Sequence, residues 1–175
     1  MSAEAIAPAV QMIKDDEGCE LNAYPDPESD LGKACAAAKL PMVDYQQING
    51  WQAMSGDPWT IGYGQTGDGI RQGVTWTQEQ ADDALAQEAA ALDAKLSSDI
   101  ACYGALNPVR QAVLIDAAYN MGVVGLLAFR HMLSYLAQGN MDGAAGELLN
   151  SDAARELPNR YGRLANYLRS GTMTT

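Results

Sequence analysis

The stretch Trp59-Thr60-Ile61-Gly62-Tyr63-Gly64 carries the strongest local signal in this 175-residue chain. Its aromatic and β-branched residues predict a short strand, and its two glycines permit a tight turn or the close approach of a ligand. Residues 19–26 are predicted to be extended as well. The two segments predict a small β region within about residues 19–76, in a chain otherwise rich in helix-forming Ala, Leu and Gln.

A first helix is predicted before this region. Ser2 is a candidate N-cap, the apolar residues follow helical spacing to about Asp16, and Gly18 suits a left-handed stop. Glu17 would then lie at the C-terminal end of this helix.

Further helices are predicted after the β region. Thr77 and Gln80 have the spacing of a capping box, which opens a helix that can continue to about Ser97. Asn107-Pro108 is an N-cap followed by proline at the first helical position. Additional helices are predicted at residues 33–39, 126–138, 140–150 and 158–169, with Ser151-Asp152 separating the last two. The fold class predicted from these elements is α+β, mainly α.

Charge and composition exclude several classes of function. The net charge is -11, with 5 basic and 17 acidic residues up to Asn107 but 6 basic and 5 acidic residues from Pro108 onward. A nucleic-acid partner is disfavoured, because phosphate binding needs a positive surface. No apolar run approaches the roughly 20 residues of a membrane span, so no direct membrane insertion is expected. The first 18 residues carry charge and Pro8 instead of a hydrophobic signal block, which predicts a protein made soluble in a cytoplasm.

Neither a metal site nor a disulfide is predicted. Cys19, Cys35 and Cys102 are widely spaced and form no C-x-x-C pair. The acidic residues of 26–30 alternate like the start of a calcium loop, but Ala37 occupies the position that needs a bidentate Glu.

Glu17 and Asp26 are the candidate catalytic pair. Glycoside hydrolysis needs one carboxylic acid to protonate the leaving oxygen and a second carboxylate to direct water or stabilise positive charge. Taken alone, a Glu-Gly near a helix end is more often a surface carboxylate beside a cap. Its conjunction with Tyr24, Asp26, Thr60 and the family resemblance of the C-terminal part, described next, favours catalysis.

These residues resemble the N-terminal signature of the phage-type lysozymes, glycoside hydrolase family 24. The similarity continues from Asn107 to Thr172, where the sequence resembles the T-even members of that family. The residues that carry it are Glu17-Gly18, Leu21, Ala23-Tyr24, Asp26, Thr60-Ile61-Gly62-Tyr63-Gly64, Asn120-Met121-Gly122, Phe129, Asp142, Ala144-Ala145, Pro158-Asn159-Arg160 and Arg169-Ser170-Gly171-Thr172.

The resemblance implies one lysozyme domain over residues 1–175 with a two-lobed fold. The N-terminal lobe would span about residues 14–76, an interlobe helix about 77–97, and a helical C-terminal lobe about 107–175, packed with the helix at 3–16. It also implies an insertion of about residues 27–56 between the catalytic Asp and Thr, which we expect to widen substrate contact or cover the site. Trp51, inside this insertion, is expected to be exposed.

The activity implied by the resemblance is that of a muramidase, which cuts the β-1,4 bond between N-acetylmuramic acid and N-acetylglucosamine in peptidoglycan. Glu17 would be the acid, Asp26 the second carboxylate, and Thr60 the hydroxyl that holds the attacking water, with inversion at the anomeric carbon. Three further residues have implied roles: Gly64, Tyr119 and Tyr24 would contact substrate. Arg160 would lie near Glu17 and orient it.

No metal or organic cofactor is implied. The expected partner is bacterial peptidoglycan, and a monomer is expected. An endolysin of this kind would accumulate in the host cytoplasm and reach the periplasm or cell wall through a separately made, holin-type membrane pore. A virion-associated peptidoglycan hydrolase and a catalytically silent wall-binding protein are the alternatives.

Overall fold

A computed structural model describes residues 3–173 of the chain, and most of these residues are helical. The strands β1 (Glu20–Pro25), β2 (Trp59–Gly62) and β3 (Gln65–Thr66) form one antiparallel sheet in the order β1-β2-β3. The α-helices are α1 (Ala3–Asp16), α2 (Asp30–Ala38), α3 (Gln78–Asp99), α4 (Pro108–Leu127), α5 (Arg130–Ala137), α6 (Met141–Leu149), α7 (Asp152–Glu156) and α8 (Pro158–Ser170). Short 3-10 helices lie at Met42–Gln47, Trp51–Ala53 and Tyr103–Ala105. The α+β, mainly α class is therefore confirmed.

Two predicted helix starts have the expected hydrogen bonds. The Thr77 backbone N–H donates to Gln80 Oε1 at 2.8 Å, and the Gln80 N–H donates to Thr77 Oγ1 at 3.2 Å, which confirms the capping box before α3. The Arg110 N–H donates to Asn107 Oδ1 at 3.0 Å, which confirms Asn107 as the N-cap of α4.

The predicted left-handed stop at Gly18 is wrong. Helix α1 ends at Asp16, but Gly18 does not adopt a positive φ. The chain bends at Glu17 and passes through Gly18, which belongs to no regular element, into β1, so no left-handed turn closes the helix. The predicted N-cap, Ser2, lies outside the described residues.

The helices of the C-terminal part differ from the prediction at two places. Leu126 belongs to the end of α4, and α5 starts only at Arg130, because α4 continues beyond a non-helical break at Gly122 (φ 77°, ψ 156°). The separator predicted at Ser151-Asp152 contains the start of α7, with Ser151 as its N-cap. A five-residue helix is too short to show a hydrophobic period.

The described residues divide into two compact units, with one boundary after Asp16 and the other within α3, after Leu85. The helical unit holds the residues up to Asp16 and those from Ala86 onward. In it α1 packs against α4, and α8 packs against α4, α6 and α7. The largest fully buried side chains of this unit include Met12, Leu96, Leu114, Ile115, Leu126, Met132, Tyr103 and Tyr161. Each side chain of this size contributes about 1.5–3 kcal/mol by its burial.

The sheet unit, Glu17–Leu85, has its own core. The sheet contributes Ala23, Trp59 and Ile61, and the segment between β1 and β2 contributes Leu31, Cys35 and Tyr45. The Tyr45 ring lies edge-on to Trp51 at 5.3 Å and to Trp59 at 5.1 Å between ring centroids. The expectation that Trp51 is exposed is wrong, because this packing leaves it half-buried.

Among residues 3–173 no single helix is long and apolar enough to cross a membrane. The bent pair of α4 and α5 reaches that length and hydropathy only when the two helices are taken together.

Candidate active site

Strand pairing places Tyr24 directly opposite Thr60. Tyr24 of β1 and Thr60 of β2 are register partners, and residues directly opposite in an antiparallel pair point to the same face of the sheet. The register of β1 shifts between Glu20 and Tyr24, as at a β-bulge, a feature that often re-aims side chains beside active sites. Thr60 is 8% exposed and Tyr24 is half-buried. The sheet therefore presents a phenol and a hydroxyl side by side.

Asp26 directly follows β1 and is held at three points. Its backbone N–H donates to the carbonyl oxygens of Gly56 and Pro58, both at 3.1 Å. Its side-chain Oδ1 accepts a hydrogen bond from the Glu28 N–H at 2.7 Å, which makes an Asx-turn. Its other oxygen, Oδ2, accepts no hydrogen bond from residues 3–173 and can accept one from water or a sugar hydroxyl.

Glu17 is the first residue after α1, and it is half-buried. The preceding residue, Asp16, is anchored within the helical unit by ion pairs to Arg160, at 3.6 Å, and to Arg163. The hydrogen bond from Arg163 to Asp16 raises the pKa of that guanidinium. The last residue of α1, which precedes Glu17 in the chain, is therefore held by two ion pairs.

The charges of both candidate carboxylates affect the pKa of the Tyr24 hydroxyl. Burial, followed by the negative charges of Glu20, Glu17 and Asp26, raises the pKa of Tyr24 above its ordinary value. The hydroxyl thus stays protonated and can donate a hydrogen bond. The charges of Glu17 and Asp26 both contribute to this shift of the Tyr24 pKa, although the two residues are nine positions apart in sequence.

The turn after β2 is shaped by glycine and by a side chain that sequence reasoning missed. Gly62 and Gly64 have φ values of 67° and 111°, which disfavour residues with a Cβ. The Tyr63 N–H donates to Gln65 Oε1 at 2.8 Å, and a Cβ on Gly62 would lie 2.5 Å from that oxygen. The Tyr63 hydroxyl donates to Asp82 Oδ1 at 2.8 Å. These hydrogen bonds, made by the residues on either side of Gly64, stabilise the turn that contains this predicted sugar contact.

The segment between β1 and β2 forms a wall beside Tyr24. A cavity of about 150 Å³ is lined by Glu20, Tyr24, Pro41, Met42 and Val43. Val43 is 39% exposed, which is high for an aliphatic side chain. No sequence signal indicated Met42 or Val43, because only packing against the sheet brings them to Tyr24.

Two predicted site residues belong to the helical unit. Tyr119 is half-buried on α4, three residues before the break at Gly122. Arg160 is buried on α8, where its Nε donates to Asp116 Oδ1 at 2.9 Å. The contact of Tyr119 with sugar and the contact of Arg160 with Glu17 remain predictions.

In the part of the chain that the structure describes, no three or more His, Cys, Asp or Glu side chains form a cluster that could hold a metal ion. The polar groups around Tyr24 are carboxylates and hydroxyls, which can donate, accept and transfer protons.

The model of one protein family, phage lysozyme, matches residues 45–160 of the chain. The matched region includes Thr60, Gly64, Tyr119 and Arg160, and it begins after Asp26. The structure joins the two parts, because β1, which leads into Asp26, pairs with β2 of the matched region. The match covers more than half of the chain, which therefore belongs to the phage lysozyme family of lysozyme-type glycoside hydrolases that act on peptidoglycan.

Proposed function

We propose that this protein is an N-acetylmuramidase, which hydrolyses the β-1,4 bond between N-acetylmuramic acid and N-acetylglucosamine in bacterial peptidoglycan. The observation that carries the proposal is the neighbourhood of Tyr24. Tyr24 lies opposite Thr60 across the sheet, Asp26 directly follows β1, and the negative charges of Glu17 and Asp26 contribute to the raised pKa of Tyr24. Family membership supports the class of reaction.

Each polar group has one role in the proposed reaction. Glu17 protonates the leaving glycosidic oxygen. Asp26 uses Oδ2, which accepts no hydrogen bond from residues 3–173, to take a proton from the attacking water, and the Thr60 hydroxyl holds that water. The product would then have inverted configuration, a route in which the carboxyl groups stand about 6.5–9.5 Å apart to admit the water.

The biological role that we propose is that of an endolysin in phage-induced host lysis. Peptidoglycan lies outside the inner membrane, so an endolysin made in the host cytoplasm needs a separate pore to reach it. A virion-associated hydrolase would perform the same chemistry from the particle. Immunodetection in purified virions distinguishes the two roles, and a signal there would contradict the endolysin proposal.

The change Glu17→Gln tests the proposed acid. The amide keeps the size of the side chain but cannot supply the proton, so we expect cleavage of purified peptidoglycan to fall about 10²- to 10⁴-fold. Glu20→Gln is the matched control, because Glu20 acts on the same Tyr24 hydroxyl but is exposed on β1 and has no proposed role. It should retain the activity of the parent.

Mass spectrometry of the digest identifies the reaction. Muropeptides that end in reducing muramic acid support hydrolysis at the proposed bond, whereas anhydro ends would indicate a lytic transglycosylase. If Glu17→Gln cleaves as fast as Glu20→Gln, the assignment of the acid is wrong. A protein that binds peptidoglycan and releases no fragments would be the catalytically silent alternative.

A further inference from the structure

Both ends of the segment 27–56 are hydrogen-bonded to the backbone of Asp26. The Asp26 N–H donates to Gly56 at the far end of the segment and to Pro58 just beyond it. The Asp26 carbonyl oxygen accepts two hydrogen bonds from Ser29, from its N–H at 3.0 Å and from its Oγ at 2.6 Å. Both backbone polar groups of Asp26 are therefore bonded to the segment or its immediate flank.

Ser29 links Asp26 to helix α2. It is the N-cap of this helix, its Oγ accepts from the Gly32 N–H at 3.0 Å, and it is only 8% exposed. The Ser29 hydroxyl thus accepts a hydrogen bond from the first turn of α2 and donates one to the carbonyl of Asp26. The Leu31 N–H donates to Ser55 O at 2.9 Å, which ties the start of α2 to the other end of the segment.

Gly32 allows α2 to approach this closely. A Cβ at this position would lie 2.0 Å from the Asp26 carbonyl oxygen and 2.8 Å from Pro27 Cα. Both are backbone atoms, which cannot move away as the end of a flexible side chain can. The first turn of α2 therefore rests directly on the peptide group of Asp26.

We propose that the segment 27–56 acts as a brace for the second carboxylate and that Ser29 is the positioning residue within it. The Asx-turn from Glu28 N–H to Asp26 Oδ1 fixes the carboxylate only while the peptide groups of residues 26–29 keep their orientation. The Ser29 hydroxyl donates to the Asp26 carbonyl, and the first turn of α2 packs against the Asp26 peptide group. This inference rests on the proposed role of Asp26, because a carboxylate that directs water must be held at a defined angle.

Ser29→Ala tests the brace. It removes both Oγ hydrogen bonds, so we expect kcat on soluble peptidoglycan fragments to fall about 10- to 100-fold while KM changes little, since the loss concerns the reacting geometry and not glycan binding. Ser29→Thr restores a hydroxyl and should recover most of kcat. Ser29→Gly serves as a second variant, because glycine is well tolerated at N-caps but also lacks the hydroxyl that donates to the Asp26 carbonyl.

Ser151→Ala is the matched control. Ser151 makes the same two hydrogen bonds at the start of α7: its Oγ accepts from the Ala154 N–H at 3.0 Å and donates to the Leu148 carbonyl at 2.7 Å. It should lower the thermal midpoint as Ser29→Ala does and leave kcat unchanged. If both alanine variants lower kcat equally, the effect is one of general stability and the brace is wrong.

Asp26→Asn, measured in parallel, separates this inference from the proposed function. A strong loss of activity in Asp26→Asn, together with normal kcat in folded Ser29→Ala or Ser29→Gly, overturns the brace and leaves the role of Asp26 intact. Normal activity in Asp26→Asn overturns the proposed role of Asp26 itself.

Discussion

The buried ion pair between Arg160 and Asp116 offers a quantitative test of what holds the helical unit together. Arg160 Nε lies 2.9 Å from Asp116 Oδ1 and 3.6 Å from Asp16 Oδ2, and the side chains of Arg160 and Asp116 are 5% and 0% exposed. Asp116→Asn removes the negative charge and preserves the size of the side chain. The guanidinium then remains buried, with the carboxylate of Asp16 at 3.6 Å.

The expected cost follows from the geometry. Removal of one partner from a buried ion pair costs about 3–5 kcal/mol, because the remaining charge stays desolvated. Asp16 still offers negative charge, so we expect the lower end, about 3 kcal/mol of unfolding free energy. In a protein of this size each kcal/mol lowers the thermal midpoint by about 2–4 °C, which gives a fall of about 6–12 °C.

Urea unfolding followed by circular dichroism measures this loss, with Asp99→Asn as the control. The Lys95–Asp99 pair has the same 2.9 Å separation, but the Lys95 side chain is 59% exposed. Such a pair contributes about 0–1 kcal/mol, because water already solvates its charges. The reasoning is refuted if Asp116→Asn loses no more stability than Asp99→Asn.

Two further predictions concern stability. Burial chiefly raises the pKa of Tyr161 to about 12, so the unfolded chain loses this proton near pH 10 and the native state keeps it until about pH 12. The free energy of unfolding should therefore fall as pH rises from 10 to 12, and it should fall less steeply in Tyr161→Phe. Urea unfolding at pH 8 and 11 measures both losses. Equal losses in parent and variant would contradict this. Thr77→Ala removes half of the capping box with Gln80 and should cost about 1 kcal/mol in the same assay. An unchanged urea midpoint would show that this cap contributes nothing.

Most helix positions could be predicted because their signals are local. A capping box at Thr77 and Gln80, or an Asn107-Pro108 start, involves atoms within one turn of the chain, and the sequence contains everything that these hydrogen bonds need. The prediction failed at Leu126, since a helix that resumes after the break at Gly122 shows no distinct start in its own residues.

The candidate site was predictable only in part. The residue types and their order pointed to Glu17, Asp26 and Thr60, and these site assignments remain predictions. Ser29 carried a signal that could have been found, since serine is a preferred N-cap residue and the acidic Asp30 follows it in the first turn. Nothing in the sequence indicated that the same hydroxyl binds the carbonyl of Asp26, because that contact depends on the path of the chain around it.

The sequence by itself determined the helical and extended segments, the glycine turn at 62–64 and the chemical groups available for a sugar-cleaving site. Only the tertiary structure decided that Tyr24 faces Thr60, that the segment 27–56 packs on the sheet through Tyr45, and that its two ends meet at Asp26. The physical reason is the separation in sequence between the groups that interact. Helix caps and turns depend on hydrogen bonds among near neighbours, whereas strand register and the packing of an insertion depend on which distant apolar surfaces are buried together.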